Sequence, residues 1–156
     1  MTKNSLPLAL TMGDPSGIGP EIIVKSVYKL DINNYIVFGD HLVFRETIDL
    51  LGLPIKINSI KSLSEANFNK NTLNLMVTSN FKQKPKFGVV LEECGLASYD
   101  AIIAAIKLVK EKKLAGIVTA PINKKALSKA KIKFPGHTEI LSSLSKNNSV
   151  SMMLVN

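Results

Sequence analysis

The residues able to do chemistry gather in three short segments. The first, Gly13-Asp14-Pro15-Ser16-Gly17-Ile18-Gly19-Pro20-Glu21, supplies glycines that let a loop approach a ligand closely and amides at a helix start that can receive an anion. Phosphate binding is the chemistry this offers. The spacing fits neither common nucleotide signature, because no third glycine stands three residues beyond Gly19 and no Gly-Lys pair follows. Asp40 sits where a ribose-binding acid could be sought, but with the fingerprint broken a turn or helix-cap role is the expectation. A purely structural turn accounts for the glycine segment as well as a ligand loop does.

The second segment is Thr119-Ala120-Pro121-Ile122-Asn123-Lys124, following a strand-like run, which is where open α/β sheets place ligand loops. Lys124 could attract a phosphate or carboxylate; beside Lys125 it also reads as an ordinary solvated lysine. The third is Phe134-Pro135-Gly136-His137-Thr138-Glu139, preceded by a basic run over 129–133. An imidazole donates or accepts a hydrogen bond and titrates near neutrality, and a hydroxyl offers a second orienting contact. His137 stands open between a ligand or catalytic role and that of a plain loop histidine, and Thr138 could instead cap a helix beginning near Glu139. His41, the other histidine, has no metal-site spacing around it and reads as a helix-start residue. Asp14, Glu21, Asp40, Glu92, Glu93 and Glu139 show no spacing that selects an acid and a base, and no Gly-x-Ser-x-Gly element marks a nucleophile. Catalytic residues are therefore unassigned.

The elements that must hold these loops alternate. Residues 6–12 read as a buried strand, and Pro20 suits the first turn of a helix whose apolar stripe is Ile23, Val27 and Leu30. A second strand over 35–38 is closed by Gly39 and Asp40, and a helix over 42–51 is ended by Gly52 and Pro54. Strands are predicted over 54–60 and 73–78, with a polar connection over 61–71 between them. After a basic loop over 82–87 and a glycine-flanked passage over 88–95, Ser98 is the expected cap of a helix carrying Ile102, Ile106 and Val109. A strand over 114–119 leads to Asn123, the expected cap of a further helix, and 150–155 reads as strand-like. The pattern predicts a mainly parallel sheet with helices on both faces.

Composition narrows the function. In 156 residues the apolar fraction is 46% and the charged fraction 21%, both ordinary for a globular chain. No stretch approaches the roughly 20 apolar residues of a membrane span. The opening residues 1–7 lack a signal-peptide pattern, so a cytoplasmic location is expected. One cysteine, Cys94, excludes an intrachain disulfide framework and a cysteine-rich metal site, leaving a small packing residue as the expectation. The net charge of +8 favours anionic partners. Its lysines lie in short groups at 82–86, 110–113 and 124–133, with no tryptophan and no aromatic-rich basic segment, so nucleic-acid binding is not expected.

Taken together and in order, the three segments resemble three signatures of the 4-hydroxythreonine-4-phosphate dehydrogenase family, and Met152-Met153-Leu154-Val155 resembles its strand after the histidine loop. The resemblance spans nearly the whole chain. It implies a three-layer α/β/α fold of the isocitrate and isopropylmalate dehydrogenase kind rather than a standard Rossmann domain, with 1–130 forming most of a first domain and 131–156 the start of a second domain and the cleft between them. The implied reaction is NAD- or NADP-dependent oxidation of 4-hydroxy-L-threonine phosphate, followed by decarboxylation to 3-amino-2-oxopropyl phosphate, in the synthesis of pyridoxal phosphate. A divalent metal (zinc, magnesium or cobalt) would polarise the alcohol, and the nicotinamide would accept the hydride.

By the same resemblance His137 and Thr138 match the family's substrate-contacting pair, while Asp14, Gly17, Gly19 and Lys124 line or support the cleft. The family's metal-ligating histidines and most cofactor contacts lie in signatures carboxy-terminal to the segment represented here, as does a return segment that completes the first domain. The expectation is a homodimer with a phosphorylated small-molecule substrate when full-length, and little activity from residues 1–156 alone. Two other readings stay open: a related sugar-acid phosphate dehydrogenase, and a noncatalytic phosphometabolite-binding domain or interaction fragment.

Overall fold

The computed structural model describes residues 5–30, 34–145, 151 and 153. Its centre is a parallel five-stranded sheet of β1 (Leu8–Thr11), β2 (Tyr35–Asp40), β3 (Lys56–Ile60), β4 (Thr72–Ser79) and β5 (Gly116–Thr119), in the order β3-β4-β2-β1-β5. All of β2 is buried, as a near-continuous apolar run in a sheet covered on both faces should be. The alternation of its side chains separates two cores. Tyr35 and Val37 pack with α1 (Gly19–Lys29) and α2 (His41–Leu51), whereas Ile36 and Phe38 pack with Ala101 and Ala105 of α3 (Glu92–Lys110). Behind α3, Ile102, Ile106, Leu127 and Ile140 bind α4 (Lys124–Lys129) and α5 (His137–Ser145) into a third cluster. The result is a three-layer α/β/α arrangement.

The crossovers explain where loops converge. From β1 the chain runs through α1 to β2 and through α2 to β3 on one face; from β4 it crosses by α3 to β5 on the other. Moving in opposite directions on opposite faces keeps one hand for every connection. β1 and β5 are thus neighbours whose following helices leave to different faces, the topological switch point at which open α/β sheets bind ligands.

Several element boundaries differ from the sequence expectation. Ser98 does not cap α3, which starts at Glu92 and carries Gly95 in its second turn. The position is glycine because the backbone of α4 lies against it: a Cβ there would overlap Ala126 O. Ser98 is fully inside, with its hydroxyl 2.7 Å from Cys94 O and 2.9 Å from Gly13 O. Thr138 does not cap α5 either; it follows His137, the helix's first residue. The polar connection over 61–71 contains one 3-10 turn, Leu63–Glu65. The strand expected over 150–155 lies outside the described residues apart from Ser151 and Met153, neither of which is in regular structure.

Candidate functional site

Because every strand points the same way, the loops after β1, β4 and β5 leave one edge of the sheet together. The glycine loop is pinned to the loop after β5: Asp14 N donates to Pro121 O at 2.9 Å, and Ala120 N donates to Thr11 O at 3.1 Å. Gly13 has φ +72°, and any Cβ there would overlap Pro121 O. Gly19 is packed as closely against Met12 O at the start of α1.

The polar groups of this loop are turned inward. Asp14 Oδ1 accepts from Ser16 N at 3.0 Å and lies 2.8 Å from the Ser16 hydroxyl, while Gly17 N donates to Asp14 O at 3.0 Å. The connection from β4 to α3 crosses over it like a strap: Gly88 N donates to Ser16 O at 2.8 Å, and Ser16 Oγ is 2.9 Å from Val89 O. Lys129 Nζ fastens the strap from the other side by donating to Val90 O at 2.9 Å. Asp14 N, Ser16 N and Gly17 N are thus engaged inside the fold.

The histidine loop meets the same edge from the α3 side. His137 is half-buried at the start of α5, and its Nε2 is enclosed with no hydrogen-bond partner among the described residues. Burial holds its pKa below the ordinary 6.5, opposed in part by a hydrogen bond with the Ala120 backbone. The ring is therefore a neutral imidazole at neutral pH, carrying one unsatisfied nitrogen. Thr138, beside it in the first turn, is partly buried.

Lys124 belongs to the same neighbourhood. Asn123 Oδ1 caps α4 by accepting from Lys125 N at 3.0 Å and Ala126 N at 3.2 Å, which fixes where Lys124 begins. Gly136 is buried, and an ideal Cβ on it would lie 3.8 Å from Lys124 Cε and 3.4 Å from Glu139 Oε2. Lys124, Gly136 and His137 thus come together through folding, next to Ala120, while the glycine loop buttresses them through Pro121.

Other chemistry-bearing residues serve the framework. Asp40 caps α2, its Oδ1 accepting from Leu42 N and Val43 N, and its Oδ2 accepts from Ser79 Oγ at 3.2 Å and Phe81 N at 3.0 Å. His41 begins α2 with Nδ1 2.9 Å from Ser59 Oγ. Cys94 is fully buried, and desolvation, then the Asp14 charge, push its thiol up to about 11, the state of an inert packing residue. An open cavity of about 500 Å³ between the end of β4 and α3, lined by Ser79, Phe81, Lys82, Glu93 and Asp100, shares no lining residue with the His137 neighbourhood. Among the described residues no group of three or more His, Cys, Asp or Glu side chains could hold a metal ion. Sequence reasoning missed Thr11, whose buried Oγ1 has no partner among the described residues, and gave Ser98 a capping role where it instead reaches across to the glycine loop. Each looks like an ordinary strand or helix residue until the layers are assembled.

Known proteins resemble this chain in both sequence and fold. Residues 31–156 match the family of the pyridoxal phosphate biosynthetic protein PdxA. A 4-hydroxythreonine-4-phosphate dehydrogenase of Beijerinckia indica is 47% identical over 96% of this chain, and a D-threonate 4-phosphate dehydrogenase of Cupriavidus necator is 37% identical over 95% of it. The crystal structure of a 4-hydroxythreonine-4-phosphate dehydrogenase from Burkholderia phymatum superimposes on 99% of this chain with a TM-score of 0.91 at 33% identity. The chain spans 45% of the length of each of the two curated relatives and 48% of the Burkholderia chain.

Proposed function

Since the chain belongs to the PdxA family of pyridoxal phosphate biosynthetic proteins, we propose that in the full-length protein it supplies half of the substrate cleft of an NAD(P)-dependent dehydrogenase. The proposed substrate is 4-hydroxy-L-threonine phosphate, whose C3 alcohol is oxidised and whose resulting β-keto acid loses CO2 to leave 3-amino-2-oxopropyl phosphate. The observation that carries this reading is the enclosed, unpartnered Nε2 of the neutral His137 at the β1/β5 switch point.

A buried polar atom without a partner costs on the order of 1–3 kcal/mol, and a substrate oxygen that satisfies it recovers that cost on binding. The His137 nitrogen and the Thr138 hydroxyl together hold the substrate in one orientation, which converts binding into a positioned encounter. Ala120 keeps the ring where it is, and the capped start of α4 keeps Ala120's loop in place. The hydride acceptor and the divalent cation are assigned to the rest of a full-length protein.

In this reading 1–130 form most of the first domain and 131–156 open the second, within a fold of the isocitrate and isopropylmalate dehydrogenase kind. Support comes from the free edge of the sheet. Among the described residues β5 pairs only with β1, and Leu8 and Val118, on one face of that edge, are 40% and 51% exposed. A cytoplasmic homodimer is the corresponding assembly; among the described residues no helix is long and apolar enough to cross a membrane.

The Cupriavidus relative favours a second reading, D-threonate 4-phosphate as substrate, which differs in carrying a hydroxyl where hydroxythreonine carries an amine. Steady-state kinetics of the full-length protein on both compounds decide the matter. The higher kcat/KM is expected for the amino substrate; preference for threonate 4-phosphate selects the second reading, and turnover of neither overturns both.

A further inference from the structure

We infer that the Ala120 carbonyl is a positioning group that fixes His137 as its Nδ1–H tautomer, so that the enclosed Nε2 is a hydrogen-bond acceptor and meets an O–H or N–H donor of the substrate. The choice of substrate donor rests on the dehydrogenase reading above. The tautomer rests on the fold alone.

The His137 ring hydrogen-bonds the Ala120 backbone, which offers one donor and one acceptor. The donor is already engaged: Ala120 N donates to Thr11 O at 3.1 Å, one step beyond the pairing of β1 with β5. The group left for the ring is the carbonyl oxygen, which only accepts, so the ring nitrogen facing it carries a proton. Among the described residues Nε2 has no partner, which makes the protonated nitrogen Nδ1. The same contact raises the pKa of the ring, as an accepting carbonyl does and a donating amide does not. A neutral imidazole with its proton on Nδ1 leaves a bare lone pair on Nε2.

The orienting carbonyl is itself held, since Asp14 N donates to Pro121 O at 2.9 Å in the next peptide and Ala120 is buried. An acceptor fixed in an enclosed place discriminates among substrate groups. At about pH 8 a carboxylate is ionised and a phosphate monoester is mainly the dianion, so each turns lone pairs toward the lone pair of Nε2 and leaves it unsatisfied. The C3 hydroxyl and the C2 ammonium of 4-hydroxy-L-threonine phosphate are its donors. Nε2 therefore reads the middle of the substrate and not its anionic ends.

The tautomer is read directly by nitrogen NMR of the full-length protein with isotope-labelled histidine at about pH 8, the His137 signals being those missing from His137→Gln. A protonated Nδ1 beside a bare Nε2 is expected; a proton on Nε2, or on both nitrogens, overturns the inference. The donor is read by calorimetry on the parent and His137→Phe, with 4-hydroxy-L-threonine phosphate and its two analogues lacking the C3 hydroxyl or the C2 amine. His137→Phe is expected to weaken binding of the complete compound about tenfold or more, and to leave unchanged the binding of whichever analogue lacks the donor that Nε2 takes. Equal losses for all three compounds, which share the carboxylate and phosphate, or parent-like binding of the complete compound by His137→Phe, overturn the acceptor role. A parent protein that shows the Nδ1–H ring and binds none of the three leaves the tautomer standing and removes the dehydrogenase reading instead.

Discussion

Asp14 N donates to Pro121 O at 2.9 Å, so the loops after β1 and β5, more than a hundred residues apart in sequence, are held as one piece. The contact requires Gly13, which adopts φ +72° and leaves no room for a Cβ beside Pro121 O. Gly13→Ala should therefore lower the stability of the full-length protein by roughly 1–3 kcal/mol and weaken substrate binding as well. Urea denaturation and KM measure the two effects, and an unchanged denaturation midpoint would separate the loops from the fold.

Asp40 ties the helix start of α2 to the end of β4 through four donors. Asp40→Ala leaves them without an acceptor and should cost about 2–3 kcal/mol, while Asp40→Asn, which keeps one acceptor for the cap, should cost about half as much. Thermal denaturation of both variants tests the difference. Because Asp40 stands apart from His137 in function, kcat should stay near the parent value.

His137 gives stability a defined pH dependence. Its folded pKa lies below 6.5, chiefly because burial disfavours the charged ring. Above about pH 7.5 the ring is neutral in folded and unfolded chains, and it contributes no slope. As pH falls through the unfolded value the unfolded chain takes up the proton first, so stability declines until the lowered folded pKa is also passed. His137→Gln should flatten that decline in a Tm series from about pH 8 to pH 5. A parent-like slope in the variant would show that burial of this ring is not its source.

Lys112 and Lys131 close α3 and α4 in the left-handed region, at φ 55° and 57°. A β-carbon is costly there, and glycine is not. Lys112→Gly and Lys131→Gly should each stabilise the full-length protein by up to about 1 kcal/mol, read as a rise in Tm. A fall in Tm would mean that the lysine stems pack more favourably than the backbone is strained.

Much of this was legible in the sequence because it depends on neighbours along the chain. Tyr35, Ile36, Val37 and Phe38 announce a buried strand, and Asn123 precedes a helix it caps. Gly95 misleads, since it looks like a breaker but is a contact point for the α4 backbone, and Ser98 misleads because a buried serine back-bonded to Cys94 O has the same letter as a cap. The order of the three loops carried the family resemblance. What no spacing could supply is the enclosure of His137 Nε2 and the approach of Lys124 to Gly136, both products of docking α5 against the loop after β5.

In the proposed function His137 orients the substrate through that nitrogen. The direct measurement is kcat/KM of the full-length protein for 4-hydroxy-L-threonine phosphate with His137→Phe, which keeps a ring and removes both nitrogens, beside His137→Gln, which returns a hydrogen-bonding end. A fall of on the order of a hundredfold or more for His137→Phe, partly restored in His137→Gln, with both variants folded, is the predicted result. A His137→Phe protein that turns substrate over at the parent kcat/KM would contradict it.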